Sequence, residues 1–148
     1  MEKIFETFTI TVLKINKLVQ KIKHREMQEY GLQCIHVMCI YYLKENKNGM
    51  TASELMRLTF EDKAAISRAL KVLKEKGFIE YDPKTYNAAI TLTAEGVNVA
   101  EAINEKAERA VKGGSADMTD EQREFFYRQL QTISENLKNY YLEMESDD

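Results

Sequence analysis

Histidine and cysteine are scarce in this sequence, with two of each, and Pro83 is its only proline. Cys34 and Cys39 fall five residues apart in an apolar segment. On a helix that separates them by about 7.5 Å along the axis, too far to pair within one straight helix. His24 and His36 are twelve residues apart, which leaves no dense cluster of imidazole and acid ligands for zinc, so no metal is expected. Long apolar runs are also missing. Nothing approaches the roughly 20 residues of a membrane span, and Met1 to Gln20 lacks the basic start and apolar block of an export signal. A cytoplasmic protein without a membrane partner is expected. The sequence contains no nucleophile elbow, no phosphate-cradling glycine loop and no paired histidines, so neither an enzyme nor a cofactor is expected.

What is present describes a folded chain. Charged residues make up 30% and hydrophobic residues 44% of the 148 positions, with a formal net charge of −3. That length suits one domain with a core of its own. Ile4, Phe8, Val12, Ile15, Val19 and Ile22 recur every three or four residues and predict one long amphipathic helix. Its stripe is more than the remaining small core can cover. Leu32 to Leu43 is apolar on nearly every face and reads as a buried central helix, ended by the turn residues Glu45 to Gly49.

Thr51-Ala-Ser-Glu54 has the spacing of a capping box and predicts a short helix over Thr51 to Leu58. Thr59 is the expected cap of the next helix, with Glu61 and Asp62 in its first turn and Gly77 at its end. Phe78 to Asp82, Pro83 to Asn87 and Ala88 to Leu92 carry strand, turn and strand chemistry and predict a hairpin. Thr93 is placed to cap a helix from Ala94 to about Lys112, which Gly113-Gly114-Ser115 should break. Thr119-Asp-Glu-Gln122 is a second capping box. The helix behind it carries Phe125, Phe126, Leu130, Ile133, Leu137, Tyr140 and Tyr141, and the acidic tail, Glu143 to Asp148, is expected to fray.

The chemistry-bearing helix is the one expected behind Thr59. Wound at 100° per residue, it places Ile66, Ala69, Leu70 and Leu73 on one face and Lys63, Ala64, Ser67, Arg68, Lys71 and Lys74 on the other. Small residues at Ala64 and Ser67 let a backbone approach a groove floor, while the cations supply donors for phosphates or for guanine O6 and N7. A short capped helix, a tight connection around Leu58 to Phe60, this basic helix and a hairpin make a helix-turn-helix with a wing. The fold class expected is therefore mainly α with a small β-hairpin.

Three stretches carry a resemblance. Ser67-Arg68-x-Leu70, the run Leu73-Lys-Glu-Lys-Gly77-Phe-Ile79 and Leu92-Thr93-x-x-Gly96 together resemble the MarR family of winged-helix transcriptional regulators. The likeness is specific from about Thr51 to Gly96. It implies a homodimer with interlocking first and last helices: residues 1–30 and 113–148 as the dimerisation region, and 31–112 as the winged helix-turn-helix with its connecting helix. It implies double-stranded DNA as partner and Lys63, Ala64, Ser67, Arg68 and Lys71 as contact residues, with Lys84, Thr85, Tyr86 and Asn87 in the wing. One departure stands out. The family's wing usually carries an Asp-x-Arg whose arginine enters the minor groove, and Lys84 to Asn87 contains no arginine.

The same resemblance implies a small-molecule inducer, for which Tyr30, Gln33, His36 and Tyr42 offer polar handles on apolar walls. Some relatives sense peroxide through a thiol, but the apolar surroundings of Cys34 and Cys39 are expected to raise their pKa and blunt reactivity. The expected function is a dimeric, sequence-specific DNA-binding regulator acting as a ligand-responsive repressor. The rival is a winged-helix dimer that uses its basic face for an acidic protein partner.

Overall fold

The segment that is apolar on nearly every face becomes the centre of the hydrophobic core, as its composition requires. In the computed structural model, which describes residues 2–146, the chain runs α1 (Glu2–Met27), a 3₁₀ turn (Gln28–Tyr30), α2 (Cys34–Glu45), α3 (Ala52–Thr59) and α4 (Lys63–Glu75). It continues through β1 (Ile79–Glu80), β2 (Thr91–Leu92), α5 (Ala94–Gly114) and α6 (Asp120–Ser146). The mainly helical class with a small hairpin is thus observed. Contacts divide the chain into two units, Met1–Ala107 and Glu108–Asp148.

In the first unit, Cys39, Ile40 and Leu43 of α2 pack with Leu55 of α3 and Ile66 and Leu73 of α4, all essentially without solvent exposure. Val99, Ala100 and Ile103 of α5 and Ile79 and Ile90 of the hairpin complete this core. Among the described residues of α1, only Met27 is buried; Ile4, Phe8, Val12, Ile15, Val19 and Ile22 are exposed. The apolar stripe read in the sequence is therefore present and exposed.

Capping sets most boundaries. The Thr51 amide donates to the Glu54 carboxylate at 2.8 Å and the Glu54 amide to the Thr51 hydroxyl at 3.2 Å, so α3 starts one residue later than read. The cap of α4 is Asp62, not Thr59: its carboxylate accepts from the Ala65 amide at 2.7 Å. Thr59 is spent inside α3, its hydroxyl donating to the Leu55 carbonyl at 2.7 Å. Phe60 ends α3 in the left-handed region, at φ 57°, so the connection is Phe60 to Asp62 and both acids precede the helix.

The hairpin is shorter than expected because its strands find other partners. Ile79 pairs with Leu92 and Glu80 with Thr91, but Ile90 exchanges both backbone bonds with Met50, at 3.0 and 2.8 Å. The Tyr81 carbonyl is taken by Lys74 Nζ at 3.0 Å.

In the second unit, the helix continues through Gly113 and Gly114. Glycine costs a helix only about 1 kcal/mol, and the actual stop is Ser115, which is buried. Its hydroxyl donates to the Val111 carbonyl at 2.7 Å and accepts from Arg123 Nε at 2.8 Å. The Thr119 box forms, with Thr119 N–H to Gln122 Oε1 at 2.9 Å and Gln122 N–H to Thr119 Oγ1 at 3.2 Å. The tail is helical to Ser146 rather than frayed; Asp147 and Asp148 lie outside the described residues. Phe125, Phe126, Leu130, Leu137, Tyr140 and Tyr141 are all exposed on α6.

Candidate nucleic-acid interface

Helix α4 divides as its winding predicts. Ile66, Ala69, Leu70 and Leu73 are buried, while Lys63, Ala64, Ser67, Arg68 and Lys71 face solvent. Burying four apolar side chains anchors the helix at roughly 1.5 kcal/mol or more for each large one, so the polar face is presented from a rigid support. Lys71 approaches Glu75 only at 4.0 Å, with both side chains mostly exposed, a pairing too weak to hold it from another partner. Lys74 differs from the sequence reading. Its ammonium lies 4.1 Å from the centroid of the Tyr81 ring and donates to the Tyr81 carbonyl, so it fastens α4 to the base of the wing.

The wing is organised by Asp82. Its carboxylate accepts from the Thr85 hydroxyl at 2.6 Å and from the Lys84 amide at 2.9 Å. Those two bonds, the hydroxyl first, hold the acid below its ordinary pKa. Pro83 fixes φ at the start of this turn, and Asn87 closes it at φ 55°. The result leaves the Lys84 and Tyr86 side chains outward, Tyr86 98% exposed.

Between α3, α4 and the wing lies a groove of about 360 Å³. It brings together Lys63 and Ser67 of α4 with Thr85 and Asn87 of the wing. Ala64, Arg68 and Lys71 continue the exposed face of α4 outside it, and Lys84 and Tyr86 stand at the wing tip. Ala52 and Ser53 also line the groove. Sequence reasoning treated that stretch only as a helix start; the signal was the capping box, which fixes the first turn of α3 beside α4. Asp82 was likewise missed, although Asp-Pro-Lys-Thr is the pattern of an aspartate accepting bonds from the residues two and three ahead.

The four candidate inducer residues do not line this groove. Tyr30 and Tyr42 are half-buried against the core, and the Tyr42 hydroxyl donates to the Leu58 carbonyl at 3.3 Å. Gln33 is the exposed cap of α2, its amide donating to His36 Nδ1 at 2.9 Å. His36 is buried, and burial, with the nearby Lys76 charge second, lowers its pKa. The two cysteines part company: Cys39 is fully buried and its thiol pushed up to about 11, by burial first and then Glu61, whereas Cys34 is half-buried with Lys23 Nζ 4.0 Å from its sulfur. Among the described residues, no group of three or more His, Cys, Asp or Glu is placed to hold a metal ion, and no helix is long and apolar enough to cross a membrane.

Comparison with known proteins bears on this geometry. Residues 30–84 match the sequence model of the MarR family. No curated protein matches the sequence. Among solved structures, a MarR protein from Peptoclostridium difficile is 22% identical with a TM-score of 0.82, over 93% of this chain and 91% of that one. A putative MarR family transcriptional regulator from Listeria monocytogenes, complexed with a 26mer DNA, is 19% identical with a TM-score of 0.83, over 93% of each chain. A MarR family protein from Mycobacterium tuberculosis, also in complex with DNA, is 20% identical with a TM-score of 0.70, over 84% of this chain and 95% of that one. Residues 30–84 of this chain are thus similar in sequence to the MarR family, and the chain has the fold of the MarR-family structures it resembles.

Proposed function

We propose that this protein is a homodimeric, sequence-specific DNA-binding transcriptional regulator that works in the cytoplasm as a ligand-responsive repressor. The observation that carries the reading is α4, which buries one face completely and presents Lys63, Ala64, Ser67, Arg68 and Lys71 from the other, next to a wing. Ala64 and Ser67 let the helix sit close to the major-groove floor. Lys63, Arg68 and Lys71 meet phosphates or guanine edges, and Lys84, Thr85, Tyr86 and Asn87 follow the flank. Two of the similar structures are complexes with DNA, which supports this use of the fold. The net charge of −3 does not oppose it, because counterion release counts only the cations that reach phosphates.

Dimerisation is assigned to α1 and α6, whose apolar stripes are uncovered in the single chain. A shared interface of roughly 2,000 Å² or more, as obligate dimers bury, would cover them. An inducer near Tyr30, Gln33, His36 and Tyr42 lowers DNA affinity by favouring a dimer whose recognition helices are wrongly spaced. Fluorescence anisotropy on a random genomic duplex across a salt series tests the reading. Binding with a steep salt slope is expected; a folded dimer that leaves the duplex untouched at low salt overturns it in favour of a protein-binding winged helix.

A further inference from the structure

Besides the core packing of Val99, Ala100 and Ile103, the connecting helix α5 is fixed by polar contacts at two places that the interface does not include. At its start, the Thr93 hydroxyl donates to the Gly77 carbonyl at 2.6 Å and accepts from the Gly96 amide at 3.0 Å, and the Thr93 amide donates to the Phe78 carbonyl at 3.1 Å. Gly96 sits directly against that Phe78 carbonyl, where no Cβ fits. The beginning of α5 is thereby bound to the end of the recognition helix. Thirteen residues on, about 20 Å along the helix, the Lys106 ammonium meets three oxygens at the end of α1 and in the 3₁₀ turn behind it. They are a Glu29 carboxylate oxygen at 2.7 Å, a Glu26 carboxylate oxygen at 2.9 Å and the Glu26 main-chain carbonyl at 3.2 Å.

An ammonium has three protons to donate and no acceptor, so three oxygens satisfy it completely. The arrangement is a tripod that fixes direction as well as distance. Lys106 is only 19% exposed, against 42% for Glu26 and 57% for Glu29, so the lysine is the member that solvent cannot readily replace. Eighty residues separate it from Glu26 in the chain. A planar guanidinium would not reproduce the three directions. The other fixed end of α1 is nothing within this unit: its stripe is exposed and, in the reading above, belongs to the dimer.

We propose that Lys106 is a positioning residue that sets the separation of the two recognition helices in the dimer, and with it the half-site spacing the protein accepts. The inference rests on the DNA-binding reading. Each recognition helix is bound to α5, α5 is clamped through Lys106 to α1, and α1 is held by the second copy; a two-fold dimer built this way reads half-sites one helical turn apart only while the clamp holds. Releasing Lys106 frees the lever without touching either the DNA-facing side chains or the apolar stripe.

The experiment uses a duplex selected from a random library by the wild-type protein, together with versions whose half-sites are moved one or two base pairs closer or further apart. Wild-type protein should discriminate against altered spacing by about tenfold or more, as for a lost base contact. Lys106→Met, and independently Glu26→Gln with Glu29→Gln, should bring all spacings within about threefold of one another, with dimer mass by light scattering and helicity by circular dichroism unchanged. Variants that are folded dimers and keep the wild-type spacing preference overturn the assignment. Wild-type protein that selects no duplex overturns the DNA-binding reading and this inference with it.

Discussion

Gly96→Ala should cost far more than its single methyl group suggests. A Cβ built at Gly96 runs into the carbonyl group of Phe78, which is backbone and cannot rotate away. Phe78 is itself held, its amide donating to the Leu73 carbonyl at 3.0 Å and its carbonyl accepting from Thr93 at 3.1 Å. The helix start must therefore retreat, stretching the Thr93 bonds to Gly77 and Gly96. Overpacking costs about 1–3 kcal/mol, and a weakened cap and hydrogen bond add about 1 kcal/mol. Against this, alanine gains about 1 kcal/mol of helix propensity. A net loss of about 1–3 kcal/mol is a large share of the roughly 5–15 kcal/mol that a domain has. Urea unfolding followed by circular dichroism should show the midpoint lowered by about 0.5–1.5 M, taking a slope near 2 kcal/mol/M. Gly113→Ala is the control: nothing lies within 4 Å of its added Cβ in the same helix, so it should stabilise by up to about 1 kcal/mol. Equal behaviour of the two variants would refute the close-approach account.

Other expectations follow from individual groups. His36 has a lowered pKa in the folded protein, so between that value and the ordinary 6.5 the unfolded chain holds the extra proton. Its contribution is complete above 6.5 and is lost as pH falls through that window. His36→Gln keeps an acceptor for the Gln33 amide without titrating, and the dependence of melting temperature on pH from 7.5 to 5.5 should flatten; an unchanged slope would assign it elsewhere. Iodoacetamide on the folded protein should label Cys34 and spare Cys39, whose thiol is buried and raised to about 11; mass spectrometry finding Cys39 labelled first would contradict the burial. Lys84→Ala should weaken specific and non-specific DNA binding by similar factors and lower the salt slope by about one unit, because a lysine suits phosphate better than the minor-groove floor. A selective loss on one A·T-rich flank would show that the wing reads the groove.

Local chemistry was legible in the sequence where it had one solution. Thr51, Thr93 and Thr119 cap the helices they precede, and Ile66, Ala69, Leu70 and Leu73 form the buried side of α4. It was not legible where two residues compete. Thr59 and Asp62 are both good caps, and the choice fell to Asp62 because Phe60 takes the left-handed turn and Thr59 closes onto Leu55. Gly113-Gly114 looked like a break, yet two glycines cost a long helix little beside the Ser115–Arg123 contact that ends it. Long-range pairings left no local trace at all. The partners of Lys74 and Lys106 were set by tertiary packing, and the Met50–Ile90 bridge that shortens the hairpin joins residues far apart in sequence.

The central claim, that the exposed cations of α4 and the wing hold DNA in a dimer, is tested most directly by one salt titration. Lys63, Arg68, Lys71 and Lys84 are exposed in the chain, so the proposed dimer would bring at most about eight phosphate-neutralising cations, with a limiting slope of log K against log salt of about −7. Anisotropy of a labelled duplex selected by the protein, measured from low to near-physiological salt, should give a slope between about −4 and −7. A slope near zero, or no binding at any salt by a protein that is folded and dimeric, would contradict it.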